Sequence, residues 1–411
     1  MSLQNIHSAW YNTLTRRESL SRSVYNVLCY RRRGMKLIHL SDLHLGKRVN
    51  EFSMIEDQRY ILSEITEIID QEQPDGILIA GDIYDKPVPA VEAVELLGDF
   101  LESMAQRNYP VFVISGNHDS AERLAFAASL IASSGVYISP SYRGQVKPVT
   151  LQDRYGSVDI YLLPFIKPLQ VRQAFPEEEI HSYQDAVALA IREMNVDQTR
   201  RNVLVAHQFV TGADTCESEE IMVGGTDQIS AEIFTPFDYV ALGHLHGPQK
   251  VERETVRYCG TPLKYSFSEA SHVKSVTVVE MGQKGETSVR TVPLKPLHDM
   301  RECRGTYEEL TGRDHYIGTR VDDYLHITLT DEEDIFEAVS KLRVIYPNLM
   351  KMDYDNQRTR QNRVIDNLEQ AVERRPLELV QEFYEKLNNR PLNDSQTKLM
   401  ESMIEDIWGG R

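Results

Sequence analysis

The sequence predicts an α/β fold, and three observations predict it. Short runs rich in Ile, Val and Leu recur over the first two thirds of the chain. Helical periodicities separate the early ones, and five of the runs end in aspartate, asparagine or histidine. Strands alternating with helices indicate a sheet covered by helices. The carboxyl ends of such strands form the edge at which ligand sites are built.

Composition bounds the reading. A chain of 411 residues with 41% hydrophobic and 26% charged content is globular, which excludes global disorder and fibrous repeats. It exceeds the roughly 250–300 residues at which single cores stop growing, so one large domain and a smaller one are expected. Lys+Arg 45 against Asp+Glu 62 gives −17, which argues against a broad basic grip on nucleic acid by this chain alone. A nucleic-acid substrate stays open if cations or a partner supply positive charge. Cys29, Cys216, Cys259 and Cys303 lie far apart and form neither a disulfide framework nor a zinc-finger spacing, so a reducing, cytoplasmic compartment is expected. The charge-free stretch Leu124–Ile138 is shorter than the roughly 20 residues a membrane-spanning helix needs.

The elements follow in order. Residues 1–34 hold six arginines (16, 17, 22, 31, 32, 33) and one acid, Glu18, without hydrophobic periodicity. They are expected to be a disordered extension ahead of Met35; an Arg-rich transit peptide is the alternative. Apolar runs at Leu37–Leu40, Gly76–Ala80, Val111–Ile114, Ile160–Phe165, Val203–Ala206 and Tyr239–Leu242 read as strands. Ile61, Ile65, Ile68 and Ile69 share one helical face, and Val91, Val94, Leu97 and Leu101 another. Ser275–Glu280 and Ser288–Pro293 flank the Gly282–Gly285 turn as a hairpin. From Pro296 a β-α-β unit is expected: strand Tyr324–Leu329, helix Glu333–Tyr346, strand Leu349–Tyr354. Two amphipathic stretches close the chain, one on Leu377, Val380, Tyr384 and Leu387, the other on Leu399/Met400, Met403/Ile404 and Ile407/Trp408. The predicted domains are 35–295, 296–365 and a helical tail 366–411. Arg358, Arg360 and Arg363 read as a solvated linker within reach of a phosphate backbone.

Chemistry gathers after the strands. The first ends in Ser41-Asp42-Leu43-His44, the second in Gly81-Asp82, the third in Gly116-Asn117-His118-Asp119; a later one ends at His207 and another in Gly243-His244-Leu245-His246. A lone histidine after a strand is usually structural, but five such coincidences at one edge are not. Imidazole, carboxylate and amide donors suit manganese, iron or zinc, and the lack of clustered cysteine excludes a closed structural zinc site. Asp42, His44, Asp82, Asn117, His207, His244 and His246 are too many for one ion and suit two if Asp82 bridges. The D-x-H and H-x-H spacings put both members on one side of an extended segment. The glycines at 81, 116 and 243 allow tight turns there. Two ions about 3.5–4 Å apart form a clamp for attack on phosphorus. His118, next to Asn117, projects elsewhere and is a candidate proton donor to the leaving oxygen or stabiliser of the pentacoordinate phosphorus. Asp119 is placed to orient it. No Ser-His-Asp set competes, and no phosphate-binding G-x-x-x-x-G-K-[ST] loop is present.

In this order and spacing, D-x-H, G-D, G-N-H-D, a lone histidine and G-H-x-H resemble the calcineurin-like metallophosphoesterases over roughly Met35 to Glu280. The stretches IHLSDLHLGK, AGDIYDKPVP, VISGNHDS, YVALGHLHGPQ and VRYCGTPLKYSFSE are similar to the bacterial SbcD-type family of Mre-type DNA nucleases. The resemblance implies an αββα sandwich with a small α+β capping domain and partner-binding C-terminal helices. It implies one metal held by Asp42, His44, Asp82 and His246, a second by Asp82, Asn117, His207 and His244, and His118 as catalytic histidine. It implies two divalent ions, Mn2+ by preference, a DNA substrate cut 3′→5′ from duplex ends and within single strands and hairpins, and a homodimer within a heterotetramer with an SbcC-type coiled-coil ATPase. Archaeal and eukaryotic relatives carry a second pocket histidine shortly after the G-D aspartate, where this chain has Asp85. Two other readings remain: a phosphoesterase acting on a small phosphodiester, and an idle scaffold for an ATPase.

Overall fold

The computed structural model describes residues 34–126, 128–219, 228–357, 359, 381, 384, 392, 393 and 395–400. Residues 1–33, the arginine cluster at 358–363 and most of the expected tail, Trp408 included, lie outside the described residues. The chain divides into two compact units: one runs to Glu302 and adds Arg320–His326 and Tyr346–Lys351; the other comprises Cys303–Thr319, Ile327–Ile345 and the chain from Met352.

The first unit runs β1 (Met35–Leu40), α1 (Ile55–Glu72), β2 (Gly76–Ala80), α2 (Val91–Gln106), β3 (Val111–Ile114), β4 (Val136–Ile138), β5 (Val149–Asp153), β6 (Gly156–Leu162), α3 (Pro168–Ala174), α4 (Tyr183–Arg192), β7 (Arg201–His207), β8 (Tyr239–Gly243), β9 (Gln249–Val251), β10 (Arg253–Tyr258), β11 (Ser275–Met281) and β12 (Thr287–Pro293). The strands do not form the single sheet that one shared edge suggests. They form two six-stranded sheets, β12-β11-β1-β2-β3-β4 and β9-β10-β8-β7-β6-β5. Pairing from β1 to β4 and among β6, β7, β8 and β10 is parallel; β11 runs antiparallel to β1, with Met35 opposite Met281.

Burial explains the layering. β2, β3, β7 and β8 are buried at every position, as strands covered on both faces must be. Leu37, Leu78, Phe112 and Ile114 of the first sheet meet Val158, Ile160, Val205 and Ala241 of the second in the core between them. The outer face of the first sheet packs on Ile61, Ile65 and Ile69 of α1 and Leu96, Leu97 and Phe100 of α2. The second packs on Val171 of α3 and Val187 and Ile191 of α4. The result is the expected αββα sandwich. α2 is rotated from expectation: Val91 and Val94 are 72% and 46% exposed, and the buried stripe is Ala93, Leu96, Leu97, Phe100 and Met104. That stripe includes the aromatic, whose burial outweighs two valines.

A third sheet orders β13 (Met300–Gly305), β14 (Tyr324–Leu329) and β15 (Leu349–Tyr354). The helix expected over Glu333–Tyr346 is shorter, Ala338–Leu342, because Glu337 takes a left-handed φ of 52° at its start. No helix among the described residues is long and apolar enough to cross a membrane.

Candidate metal centre

The site is built where the carboxyl ends of the two sheets meet. Asp42 and His44 follow β1, Asp82 follows β2 and Asn117 to Asp119 follow β3, all in the first sheet. His207 ends β7, and His244 and His246 follow β8, in the second. The seam is pinned by His207, whose Nδ1 lies 2.8 Å from the carbonyl of Ala80. That bond leaves Nε2 facing Asp82 Oδ2 at 3.3 Å and Asn117 Oδ1 at 2.9 Å.

Backbone geometry corrects one expectation. The D-x-H segment is not extended: Asp42 and His44 have φ of 51° and 44°, Asp82 has 48° and His244 107°. Left-handed backbone at non-glycine residues is costly and clusters at functional sites. Here hydrogen bonds from the amides of Asp42 and His44 to the carbonyls of Gly81 and Asp82, at 3.0 and 2.9 Å, hold it. Asp42 and His44 thus converge because the chain coils at the strand end, not because a pleat alternates. The three glycines act by absence of bulk. A Cβ on Gly116 would lie 2.1 Å from Asp82 Oδ1, one on Gly81 2.4 Å from His207 Nδ1, and one on Gly243 1.9 Å from the Ala80 carbonyl oxygen.

All seven residues named as candidate ligands converge. Asp82 Oδ2 stands between two groups, 3.3 Å from His207 Nε2 and 3.8 Å from His44 Nε2. On one side His44 Nε2 and His246 Nε2 are 3.2 Å apart, with Asp42 beside them. On the other, Asn117 Oδ1 lies 3.0 Å from His244 Nδ1. Asp42 is also within reach of the Asp82–His207 group, so it is less confined to one side than the resemblance implies.

The donor set fits divalent cations. Two imidazole nitrogens at 3.2 Å need a proton or a cation between them. Asp42 Oδ2, His44 Nδ1 and His244 Nε2 are buried with no hydrogen-bond partner among the described residues, and such groups are costly unless something binds them. Burial keeps His44 far below the usual imidazole range and His244 down at about 3, so both present lone pairs at neutral pH. Burial also raises Asp42, to about 6. Asp82 is held well below the carboxylate range: burial opposes its charge, but the charge and hydrogen bond of His207 outweigh it. In turn the carboxylates of Asp82 and Asp42 outweigh burial at His207 and raise it to about 9.

His118 sits at the mouth, with 16% of its side chain exposed against 1% for His44 and 2% for Asp82. Its Nδ1 lies 3.2 Å from the carbonyl of Asp85, leaving Nε2 toward Asp82 Oδ2 at 3.9 Å. The carbonyl of Asp85 thus orients the ring. Asp119 spends its two oxygens on the amides of Ile83, Tyr84 and Gly116, at 2.9 to 3.0 Å, and so ties the loop carrying Asp82 to the loop carrying His118. Asp85 Oδ1 accepts from Lys47 Nζ at 2.8 Å.

Sequence reasoning missed residues behind the candidate ligands. Glu219 Oε1 accepts the amide of His246 at 2.6 Å, and Ser218 Oγ lies 2.7 Å from His246 Nδ1. Both come from an irregular loop that no periodicity flags. His39, fully buried in β1, meets the Tyr239 hydroxyl of β8 at 2.9 Å and links the two sheets.

Comparison with known proteins gives this geometry its family. The profile of calcineurin-like phosphoesterases matches residues 35–248, and that of the type 5 capsule protein repressor C-terminal domain matches residues 296–388. The chain belongs to the calcineurin-like phosphoesterase family, in the SbcD branch of nuclease subunits, and is a metal-dependent hydrolase. Two curated relatives place it in that branch. It is 30% identical over 382 residues to the D subunit of nuclease SbcCD from Staphylococcus epidermidis, covering 91% of this chain and 99% of that one. It is 32% identical over 379 residues to the protein of the same name from Staphylococcus saprophyticus, covering 90% and 98%. Among solved structures, a dimetal phosphatase from Danio rerio aligns at 9% identity and a TM-score of 0.37, over 64% of this chain and 99% of that one.

Proposed function

We propose that this chain is the nuclease subunit of an SbcC–SbcD-type complex, hydrolysing DNA phosphodiester bonds at a two-cation centre. The observation that carries the reading is the position of Asp82 between two donor groups, each drawn from both sheets. Asp42, His44, Asp82 and His246 would hold one ion, and Asp82, Asn117, His207 and His244 the other, with Mn2+ the metal this oxygen and imidazole set favours in the family. The chemistry two such ions supply is activation of a water and neutralisation of charge on the phosphoryl oxygens.

The remaining work falls to the protein. His118, fixed through Nδ1 by the Asp85 carbonyl, presents Nε2 at the mouth to protonate the leaving oxygen. Asp119 keeps that ring and Asp82 in register. Lys47 neutralises Asp85, so a carboxylate near an incoming phosphate carries less repulsion. A net charge of −17 requires that cations and a partner provide most of the attraction for DNA.

The finer reading is 3′→5′ exonuclease action on duplex ends and endonuclease action on single strands and hairpins, in DNA repair, recombination and replication. ATP dependence comes from an SbcC-type coiled-coil ATPase docked on the tail 366–411, with residues 296–365 as capping domain and two nuclease subunits in a heterotetramer. Exposed Val91, Val94, Phe126 and Leu130 are surface suited to a second copy of the chain. Among the described residues Cys216, Cys259 and Cys303 form no disulfide, which supports a reducing cytoplasm. The test incubates purified protein with Mn2+ and either a hairpin DNA or a chromogenic phosphodiester, with and without the partner and ATP. Hairpin cleavage stimulated by partner and ATP is expected. Cleavage of the small ester alone would favour the small-phosphodiester reading instead.

A further inference from the structure

We infer that Glu269, with Lys274 behind it, is a positioning residue that sets the tautomer and orientation of His246 through the hydroxyl of Ser218. The inference rests on the proposed role of His246 as a metal ligand, and it starts from a buried ion pair that the chemistry above leaves unused.

Glu269 is 0% exposed and Lys274 5%. Glu269 Oε2 pairs with Lys274 Nζ and lies 3.3 Å from Thr261 Oγ1. Lys274 Nζ also donates to Thr261 Oγ1 at 2.7 Å and to the carbonyl of His246 at 2.9 Å. Glu269 Oε1 accepts from Ser218 Oγ at 2.6 Å, and the same hydroxyl is 2.7 Å from His246 Nδ1. Glu269 Oε1 itself is 3.5 Å from that nitrogen. One ion pair therefore reaches both the backbone and the ring of His246, while Glu219 holds its amide.

Proton counting fixes the tautomer. A serine hydroxyl has one proton. A charged carboxylate at 2.6 Å can only accept, so Ser218 donates to Glu269 and must accept from His246 Nδ1–H. The lone pair is then on Nε2, the nitrogen that faces His44 Nε2 at 3.2 Å. Partners of this kind raise ligand basicity and stop the ring turning, and their loss costs about 10–100-fold in metal affinity. A buried ion pair is by contrast a weak source of stability, since apolar residues of similar size do as well. Its place beneath a ligand is explained by orientation.

The experiment measures Mn2+ bound per chain by elemental analysis and titration, and the melting temperature in chelator, for the full chain carrying S218A, S218T, E269Q/K274M or H246A. S218A keeps the ion pair; E269Q/K274M removes both charges, so no lone charge is left buried. Expected for S218A and E269Q/K274M is a loss of about 10–100-fold in affinity at one of two sites, with chelated melting temperature near that of the parent, and S218T restoring the affinity. Parental affinity at both sites in S218A, while H246A loses one ion, overturns the inference and leaves the metal centre standing. Retention of both ions by H246A overturns the ligand role of His246 and the inference with it.

Discussion

Asp82 is the residue on which both halves of the centre turn, and its neighbours are fitted to it more tightly than spacing alone conveys. Gly116 leaves room for its Oδ1, which accepts the amide of His118 at 2.9 Å. In G116A the added methyl would lie 2.1 Å from that oxygen and 2.4 Å from the Asp82 amide nitrogen. The expected outcome is fewer than two Mn2+ per chain by elemental analysis, with activity falling in step. His118 lies at the mouth and outside the donor set, so H118L should keep both ions and lose about 10²–10⁴-fold in turnover; loss of an ion from that variant would refute the division of roles. The candidate donors were legible in the sequence because each follows a strand in a short, recognisable cluster. Ser218, Glu219 and Glu269 were not, because they reach His246 from loops whose residues share no period with it. Nor does adjacency to His118 reveal that the carboxylate of Asp119 accepts backbone amides of the distant loop at Ile83 and Tyr84.

Elements were legible where the sequence shows an apolar run or a turn between two strands. β2 and β3 are apolar throughout and read at their true limits. β5, VTLQD, and β10, RETVRY, went unread because they are half-exposed and present no apolar run. The division into two sheets was equally hidden from periodicity, since a strand buried by a helix and one buried by a second sheet carry the same composition; only the family resemblance supplied it. α2 offers a test at this scale. Gly98 lies on its exposed side, and a methyl group there would touch nothing within 4 Å. G98A should stabilise the chain by about 0.5–1 kcal/mol in a denaturant titration, through helix propensity alone.

For the molecule as a whole, the centre links stability to pH and to cations. Burial lowers His207, but the carboxylates of Asp82 and Asp42 outweigh it and raise it to about 9 from 6.5. A raised histidine stabilises fully below 6.5, and that contribution is lost as pH climbs toward 9. His44 and His244, being lowered, act only below 6.5. In chelator the melting temperature should therefore fall between about pH 6.5 and 8.5. Cations bind the deprotonated ligands and strengthen over the same window. The gap between Mn2+-loaded and chelated protein should widen by roughly 3 °C, and a constant gap in a thermal-shift series would refute the linkage.

The long return of β11 to the side of β1 has a consequence for biosynthesis. Every proposed ligand precedes residue 247, yet the sheet that carries Asp42 gains the partner of its first strand only when Ser275–Met281 arrives. A ribosome that has just added His246 has delivered every candidate donor, while Met35–Leu40, paired on one side with Gly76–Ala80, still lacks its antiparallel neighbour. The whole donor set is therefore synthesised before the first sheet can complete its pairing at β1, so closure of that sheet is a late, long-range step in folding.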